Sequence, residues 1–114
     1  MATFNQAAFN HAVTLITAGE TTTFDSNWQE EQPTPDEVVR FINAHTMAEY
    51  GLWFLGTDKA HSTKAKEHYV YPYGDLKTVQ RPALVDTIAK AEKNGDHEIV
   101  KAAKQLLELV DKEK

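Results

Sequence analysis

Asp58, His61 and His68 are the side chains whose types come closest to a metal or acid–base site in this sequence. Carboxylates and imidazoles bind metal ions, and they transfer protons near neutral pH. If residues 61–68 formed one helix, the two histidines would lie roughly 10 Å apart, too far to share one ion. A bend in the chain could bring them together, whereas the ordinary alternative is a pair of exposed loop histidines. A small enzyme or ligand binder that uses these three residues is therefore the third of three hypotheses. Two others rank above it.

Other familiar kinds of site find little support. His45 and Glu49 stand at i and i+4 on a predicted helix, but no third metal ligand is evident nearby, so a helix-surface pair is expected. The absence of cysteine removes thiolate nucleophiles and sulfur-bound zinc. Neither Ser26 nor Ser62 stands in a Gly-x-Ser-x-Gly motif, and the five scattered glycines form no phosphate loop. We predict no catalytic residue, no metal and no cofactor, which favours a protein that is not an enzyme.

Residues 59–81 combine basic side chains with interleaved tyrosines, a composition with which proteins hold single-stranded nucleic acid. In an extended ribbon the tyrosines would share one face, although Pro72 weakens that geometry. The alternative is that they cover a helical core. Nucleic-acid association is the second hypothesis, and the net charge of −5 opposes it. The predicted interaction surface consists of Trp53, Lys64, Lys66, Tyr69, Tyr71, Tyr73 and Arg81.

The charge of the chain is divided between its halves. Residues 1–58 carry eight acids and one base, a net −7, whereas residues 59–114 carry nine acids and eleven bases, a net +2. An acidic cluster, which we interpret as a solvated face, consists of Glu30, Glu31, Asp36 and Glu37. An acidic front and a mildly basic back favour oriented protein contacts. The leading hypothesis is therefore a non-catalytic protein-interaction module that binds a protein partner or a second copy of itself.

The elements that must position these residues begin with a helix. The apolar side chains that recur at helical spacing are Phe9, Ala12, Val13 and Ile16. This spacing predicts a helix over residues 4–18, with Thr3 as its N-cap and Gly19 just after its end. The polar residues 20–33 predict a loop. The side chains expected to pin this loop to the core are Phe24 and Trp28.

The second helix has the clearest start signal in the chain. Thr34 is placed as N-cap, Pro35 at the first helical position and Glu37 at the third, which together form a capping box. Helical spacing of apolar residues continues from there, and the helix is predicted to run to Tyr50 and end at Gly51.

The C-terminal half predicts a small β ribbon followed by two helices. Strands at 69–71 and 76–79 are expected to pair across a turn over residues 72–75. Pro82 begins the next helix, and Asn94-Gly95 ends it. Asp96 caps the last helix, and the short connection predicts an antiparallel hairpin.

The expected fold class is mainly α, or α+β with a minor two-stranded ribbon, in one domain over residues 1–114. The predicted core consists of Phe9, Val13, Ile16, Val39, Ile42, Trp53, Leu55, Leu84, Ile88, Ile99, Ala103, Leu106 and Val110. The N-terminus has no signal-peptide pattern, and the longest strongly apolar stretch, residues 51–56, is far too short to span a bilayer. We expect a cytoplasmic protein with no membrane association.

Residues 53–110 also carry a spaced pattern of aromatic, glycine and acidic positions. The pattern runs Trp53-x-Leu55-Gly56-x-Asp58, Thr63-Lys64, Tyr69-x-Tyr71-Pro72-x-Gly74-Asp75, Val79-x-Arg81-x-Ala83-Leu84 and Ala102-Ala103-x-x-Leu106-Leu107. It resembles a family of short, uncharacterised bacterial proteins, some of them phage-related. The resemblance implies a bacterial origin and a compact module. No activity is assigned to that family, so the resemblance transfers no catalytic or binding residue.

Overall fold

A computed structural model describes residues 2–22 and 28–112, so Phe24 and the side chain of Glu31 lie outside the described residues. The fold is α+β and ends in a helical hairpin, as predicted. The elements in chain order are β1 (Thr3–Phe4), α1 (Gln6–Thr17), β2 (Thr21–Thr22), α2 (Trp28–Glu31), α3 (Pro35–Ala44), α4 (Met47–Gly51), β3 (Phe54–Thr57), a 3₁₀ turn (Lys66–His68), β4 (Tyr69–Pro72), β5 (Val79–Gln80), α5 (Arg81–Asn94) and α6 (His97–Lys112). The segment predicted as a loop thus contains β2 and α2, and Trp28 is buried as expected.

Two small sheets hold the strands. An antiparallel sheet has the order β1-β3-β4, with Thr3 opposite Thr57 and Gly56 opposite Val70. Strands β2 and β5 pair in parallel, with Thr21 opposite Val79. Helices α1 and α6 pack against β3, and α5 packs against β4. The helices therefore share a core with the three-stranded sheet.

The predicted pairing of 69–71 with 76–79 was wrong. The carboxylate of Asp75 accepts hydrogen bonds from the backbone N–H groups of Lys77 and Thr78, at 3.1 and 2.7 Å, and folds this segment into a tight turn. Leu76 has a positive φ of 70° there, and residues 75–78 form no strand. An isolated antiparallel bridge joins Gly74 to Val79 across this turn. Each strand pairs with a partner distant in sequence instead.

Helix α1 begins later than predicted because the first residues enter the sheet. Thr3 was expected to cap the helix, but it pairs in β1. Asn5 is the cap, and its side-chain oxygen accepts a hydrogen bond from the Ala8 N–H at 3.4 Å. The amide nitrogen of Asn5 also donates to the carbonyls of Gly51 and Phe54, each at 3.1 Å. One side chain therefore starts the helix and attaches it to β3.

The capping box on α3 is confirmed. The Glu37 N–H donates to the Thr34 hydroxyl at 3.2 Å, and the Thr34 N–H donates back to the Glu37 carboxylate at 3.1 Å. The predicted continuation to Tyr50 was wrong, because the helix ends at Ala44. Thr46 adopts an extended conformation and caps a separate helix, α4, by accepting the Glu49 N–H at 3.1 Å.

The closing hairpin forms as predicted. Gly95 ends α5 in the left-handed conformation, with φ of 76°, which costs glycine little. Helix α5 begins at Arg81, one residue before the predicted proline. The Arg81 guanidinium pairs with Asp111 at 3.0 Å, which joins the start of α5 to the end of α6 and fixes the antiparallel arrangement.

Most of the predicted core is buried. The buried members are Ile16, Trp53, Leu55, Leu84, Ile99, Ala103, Leu106 and Val110. The half-buried members, which pack against this cluster, are Phe9, Val13, Ile42 and Ile88. Val39 was wrongly predicted to be core: it is 47% exposed, because α3 buries none of its residues completely.

A close approach at Gly74 gives a stability prediction. A Cβ there would overlap the Thr78 carbonyl oxygen and lie 2.8 Å from the Trp53 ring. We expect Gly74→Ala to lower the free energy of unfolding by about 2–3 kcal/mol, through overpacking. Gly19→Ala is the control, because φ is +81° but no atom lies within 4 Å. It should cost about 1 kcal/mol from backbone strain. Equal losses in urea unfolding would contradict the steric argument.

The stacked rings beside Gly74 give a pH prediction. The ring centroids of His11 and Trp53 lie 5.4 Å apart in an edge-to-face arrangement. Trp53 in turn stacks on Tyr73, with 5.6 Å between the ring centroids. Burial lowers the pKa of His11 from its ordinary 6.5, so the unfolded chain takes up the proton more readily than the folded one. Stability should therefore fall as the pH drops through 6.5, until the lower folded-state pKa is passed.

The matching variant is His11→Phe, which keeps a ring against Trp53 and cannot titrate. We expect its free energy of unfolding to lack that acid-side decline when urea unfolding is compared at about pH 7.5 and about pH 5.5. Between about pH 7.5 and 8.5, where the imidazole is neutral in both states, wild type and variant should change in parallel. An identical decline in both proteins on the acid side would show that another group causes it.

Candidate functional site

A cavity of about 770 Å³ opens between β4 and α5. This volume lies in the range of small-molecule sites. Its apolar lining comes from Val70, Tyr71 and Pro72 of β4. Its polar lining comes from α5, from Asp96 after that helix and from Asp58 after β3. The cavity therefore combines an apolar wall with charged side chains.

Tyr71 is held in the wall of this cavity by an unusual backbone conformation. Its φ is +65°, a left-handed value that is rare for a bulky residue and that marks a locally strained backbone. The Tyr71 hydroxyl donates to an oxygen of Asp96 at 2.5 Å, and it accepts from the Asn94 amide at 2.8 Å. These two hydrogen bonds help to keep Tyr71 in its strained conformation.

Asp96 is the centre of that network. Its side chain is buried, and its other oxygen accepts the Ala2 N–H at 3.2 Å. Asp96 was predicted to cap α6. It precedes that helix, and its carbonyl accepts the Val100 N–H at 3.0 Å, but its carboxylate binds Ala2 and Tyr71. The carboxylate thus connects the N-terminal strand, β4 and the turn between α5 and α6.

The surroundings of Tyr71 also affect its protonation. Burial, and next the hydrogen bond to Asp96, raise the pKa of Tyr71 above its ordinary value of 10.0. Its hydroxyl therefore stays protonated at neutral pH and acts as a fixed donor, not a base. Beside it, the Thr87 hydroxyl donates to the Pro72 carbonyl at 2.7 Å and fastens α5 to β4.

Charged groups of both signs line the same cavity. Lys90 and Lys93 stand at i and i+3 on α5, so they lie on one side of the helix. Lys90 pairs with Asp86 at 2.9 Å, whereas Lys93 is exposed and makes no ion pair with an acid of residues 2–22 or 28–112. Asp58 is half-buried, and one of its carboxylate oxygens accepts the Ala60 N–H at 2.9 Å.

Asp58, His61 and His68 come together through the main chain. His68 is buried, and its Nδ1 lies 2.9 Å from the carbonyl oxygens of both Asp58 and His61, to which a protonated Nδ1 donates. The Asp58 N–H donates to the His68 carbonyl at 2.6 Å. Of the three residues, Asp58 lines the cavity, while His61 and His68 do not. His68 therefore fixes the loop that carries Asp58.

No metal site emerges in the part of the chain that the structure describes. There, no three histidine, aspartate or glutamate side chains are grouped closely enough to hold an ion. His45 and Glu49 form an exposed i, i+4 pair at 2.8 Å, and the His45 ring stacks on Phe41 at 4.3 Å. The prediction that they share one helix was wrong, because α3 ends at Ala44 and Glu49 belongs to α4, so the pair links the end of α3 to α4.

The predicted interaction surface is divided by the fold. Trp53, Tyr71 and Tyr73 are buried at 5%, 8% and 0% exposure, so they are unavailable as surface anchors. Lys64 and Lys66 are exposed in the loop after β3. The remaining members are half-buried: Tyr69 packs against Tyr50, and Arg81 pairs with Asp111.

Of the residues that line the cavity, Asp58 and Tyr71 were predicted as site residues, whereas Lys93, Asn94 and Asp96 were missed. The sequence Asn94-Gly95-Asp96 indicated a helix end and a cap, and the lysines of α5 were not singled out. The Tyr71–Asp96 bond joins residues 25 positions apart, so no local spacing rule reports it. The polar residues around a helix-ending glycine were the available signal, and it has a purely local explanation.

Comparison with known proteins gives no counterpart: no family model, no curated protein and no solved structure matches this chain. The resemblance of residues 53–110 to short bacterial proteins stays a prediction. Within residues 2–22 and 28–112, none of the helices combines the length and the apolar character needed to cross a bilayer.

The Tyr71–Asp96 bond makes a testable contribution to stability. We expect Tyr71→Phe to lower the free energy of unfolding by about 1–3 kcal/mol, because it removes a donor from a buried carboxylate. Tyr69→Phe is the control, since that hydroxyl donates to the Thr63 carbonyl at an exposed position. It should cost less than about 1 kcal/mol. If both variants unfold at the wild-type urea concentration, Asp96 does not depend on Tyr71.

Proposed function

We propose that this protein is a non-catalytic interaction module and that helix α3 presents its docking face. The observation that carries the proposal is that α3 has a pronounced apolar stripe but no buried residue. Val38, Phe41 and Ile42 are half-buried against the core, and Val39 beside them is 47% exposed. A helix with such a stripe normally covers it within the domain or against a partner.

Acidic residues lie at and before the N-terminal end of this helix. Asp36 and Glu37 occupy the first turn of α3 and are exposed, as is Glu30 just before it. The Thr34 N–H that donates to Glu37 holds the pKa of that carboxyl below its usual value, so it is ionised at neutral pH. Arg40 is the single base of the helix. An apolar stripe with acidic residues at one end is complementary to a partner of the opposite charge.

The partner we propose is a protein segment that is both basic and amphipathic, with lysine or arginine flanking apolar side chains. Such a segment would lay its apolar side on Val39 and on the exposed part of the half-buried stripe, and its charges against the acidic residues. The charge of −7 over residues 1–58 would also attract it over a longer range. The cysteine-free composition fits a cytoplasmic setting for this contact.

The alternative of nucleic-acid binding has less support. Single strands are held by aromatic side chains that stack on the bases, and Tyr71 and Tyr73 have no exposed ring face to offer. Exposed lysines in the loop after β3, at positions 59, 64 and 66, would supply charge without stacking. We therefore keep nucleic acid as the secondary proposal and the protein contact as the main one.

Two valines of matched exposure make the test specific. Val39 on α3 and Val85 on α5 are 47% and 46% exposed, so either can be changed without opening the core. The probe is a fluorescent synthetic helix of leucine and lysine, titrated with the full chain and followed by anisotropy. We expect Val39→Gln to weaken binding about fivefold, through lost apolar contact, and Val85→Gln to bind as wild type does.

A peptide with glutamate in place of lysine is the charge control and should not bind. Equal binding of the two peptides, or equal affinity of the three proteins, would contradict the proposal. Sedimentation of the protein alone tests the remaining possibility. A dimer that Val39→Gln dissociates would assign this face to a second copy of the chain and not to a basic partner.

A further inference from the structure

We propose that the cavity between β4 and α5 binds a small zwitterion, a free α-amino acid with an apolar side chain. This site is separate from the α3 face in the residues it uses. Its lining offers an ammonium group at Lys93, a carboxylate at Asp58 and an apolar wall at Val70 and Pro72. A ligand complementary to all three carries a carboxylate, an ammonium group and an apolar side chain.

The polar groups of the cavity divide into those already used and those available to a ligand. Both carboxylate oxygens of Asp96 accept hydrogen bonds within the protein, from Ala2 and Tyr71, and Lys90 pairs with Asp86. Asp58, by contrast, uses one oxygen for the Ala60 N–H. Its second oxygen has no partner in the described part of the chain. That oxygen is therefore available to an ammonium group.

Lys93 supplies the opposite charge. It is exposed in the last turn of α5, next to Asn94. The Asn94 amide nitrogen is occupied by the Tyr71 hydroxyl, so its amide oxygen is the atom left to accept a hydrogen bond. The Lys93 ammonium group and the oxygens of Asp58 and Asn94 thus line the cavity beside an apolar wall, together with the ion-paired Lys90. A simple anion would leave Asp58 facing the ligand without a counter-charge.

Hydrogen bonds connect the elements that line the site. His68 fixes the loop of Asp58 by donating to the Asp58 carbonyl, and Thr87 fastens α5 to β4. Tyr71 holds Asn94 in place and does so from a left-handed conformation. Strained residues of this kind cluster at ligand sites, where the surrounding structure holds them. A preformed site spends less of its binding energy on ordering side chains.

The test is an NMR titration of the isotope-labelled full chain with L-leucine. We expect saturable shifts of the backbone amides of Asp58, Lys93 and Asn94, with a dissociation constant below about 10 mM. N-acetyl-L-leucine lacks the ammonium group and L-leucinamide lacks the carboxylate. Each should bind at least about fivefold more weakly than leucine, because each loses one charge contact.

Matched variants locate the site on the protein. Lys93→Met and Asp58→Asn should each weaken leucine binding about fivefold. The controls Lys101→Met and Glu108→Gln remove the same charges from exposed positions on α6 and should leave it unchanged. Val39→Gln should also bind leucine normally, so failure of the α3 proposal would leave this one standing.

Three results would overturn the proposal. The first is the absence of saturable shifts up to about 10 mM leucine. The second is equal binding of N-acetyl-L-leucine, which would mean that Asp58 recognises no ammonium group. The third is wild-type affinity in both Lys93→Met and Asp58→Asn, which would place any bound leucine elsewhere on the molecule.

Discussion

The carboxylate of Asp96 is buried at the turn between α5 and α6, and both of its oxygens accept hydrogen bonds from distant parts of the chain. A carboxylate in such a place is costly unless it is well satisfied. Ala2 and Tyr71 provide its partners, so the N-terminal strand and β4 must both reach the same turn. This requirement sets the position of β4 against α5, and the cavity lies between those two elements.

The geometry of β4 follows from the same constraint. Tyr71 adopts φ of +65° and directs its hydroxyl to Asp96, while Tyr73, two residues on, is fully buried and donates to the Leu52 carbonyl at 2.6 Å. Tyr73 is enclosed by the core, whereas Tyr71 lines the cavity wall and is otherwise buried. The aromatic side chains that make this segment look like a binding surface in the sequence are used to build the core. The side chains left at the surface are the charged residues of α5 and of the loop after β3.

Helix α3 presents the opposite situation. Its capping box and first-turn acids stabilise it locally, and its packing against the rest of the protein is incomplete. Thr46 ends the connection to α4, so α3 and α4 are two separate short helices that contact each other. The molecule therefore has a cavity lined by hydrogen-bonded side chains and a helix whose apolar stripe is incompletely buried. These are different kinds of surface, and they suit different kinds of partner.

Local patterns predicted the parts of this fold that depend on neighbouring residues. The capping box at Thr34, the end of α5 at Gly95 and the stripe of α6 all follow from spacing and backbone preference, and the structure contains them. The errors occurred where a distant partner outweighed the local preference. Thr3 joined a strand in place of capping a helix, and the segments 69–71 and 76–79 paired with other strands.

By itself, the sequence limited the fold to mainly α or α+β and determined the closing hairpin, most of the core and the division of charge, because composition and periodicity act locally or over the whole chain. The tertiary structure alone decided the candidate site. Asp96 and Tyr71 are separated by 25 positions, and Asp58 and Lys93 by 35, so only the folded chain brings each pair to one cavity. Spacing rules carry no information about such pairs, since the contact depends on how strands and helices pack.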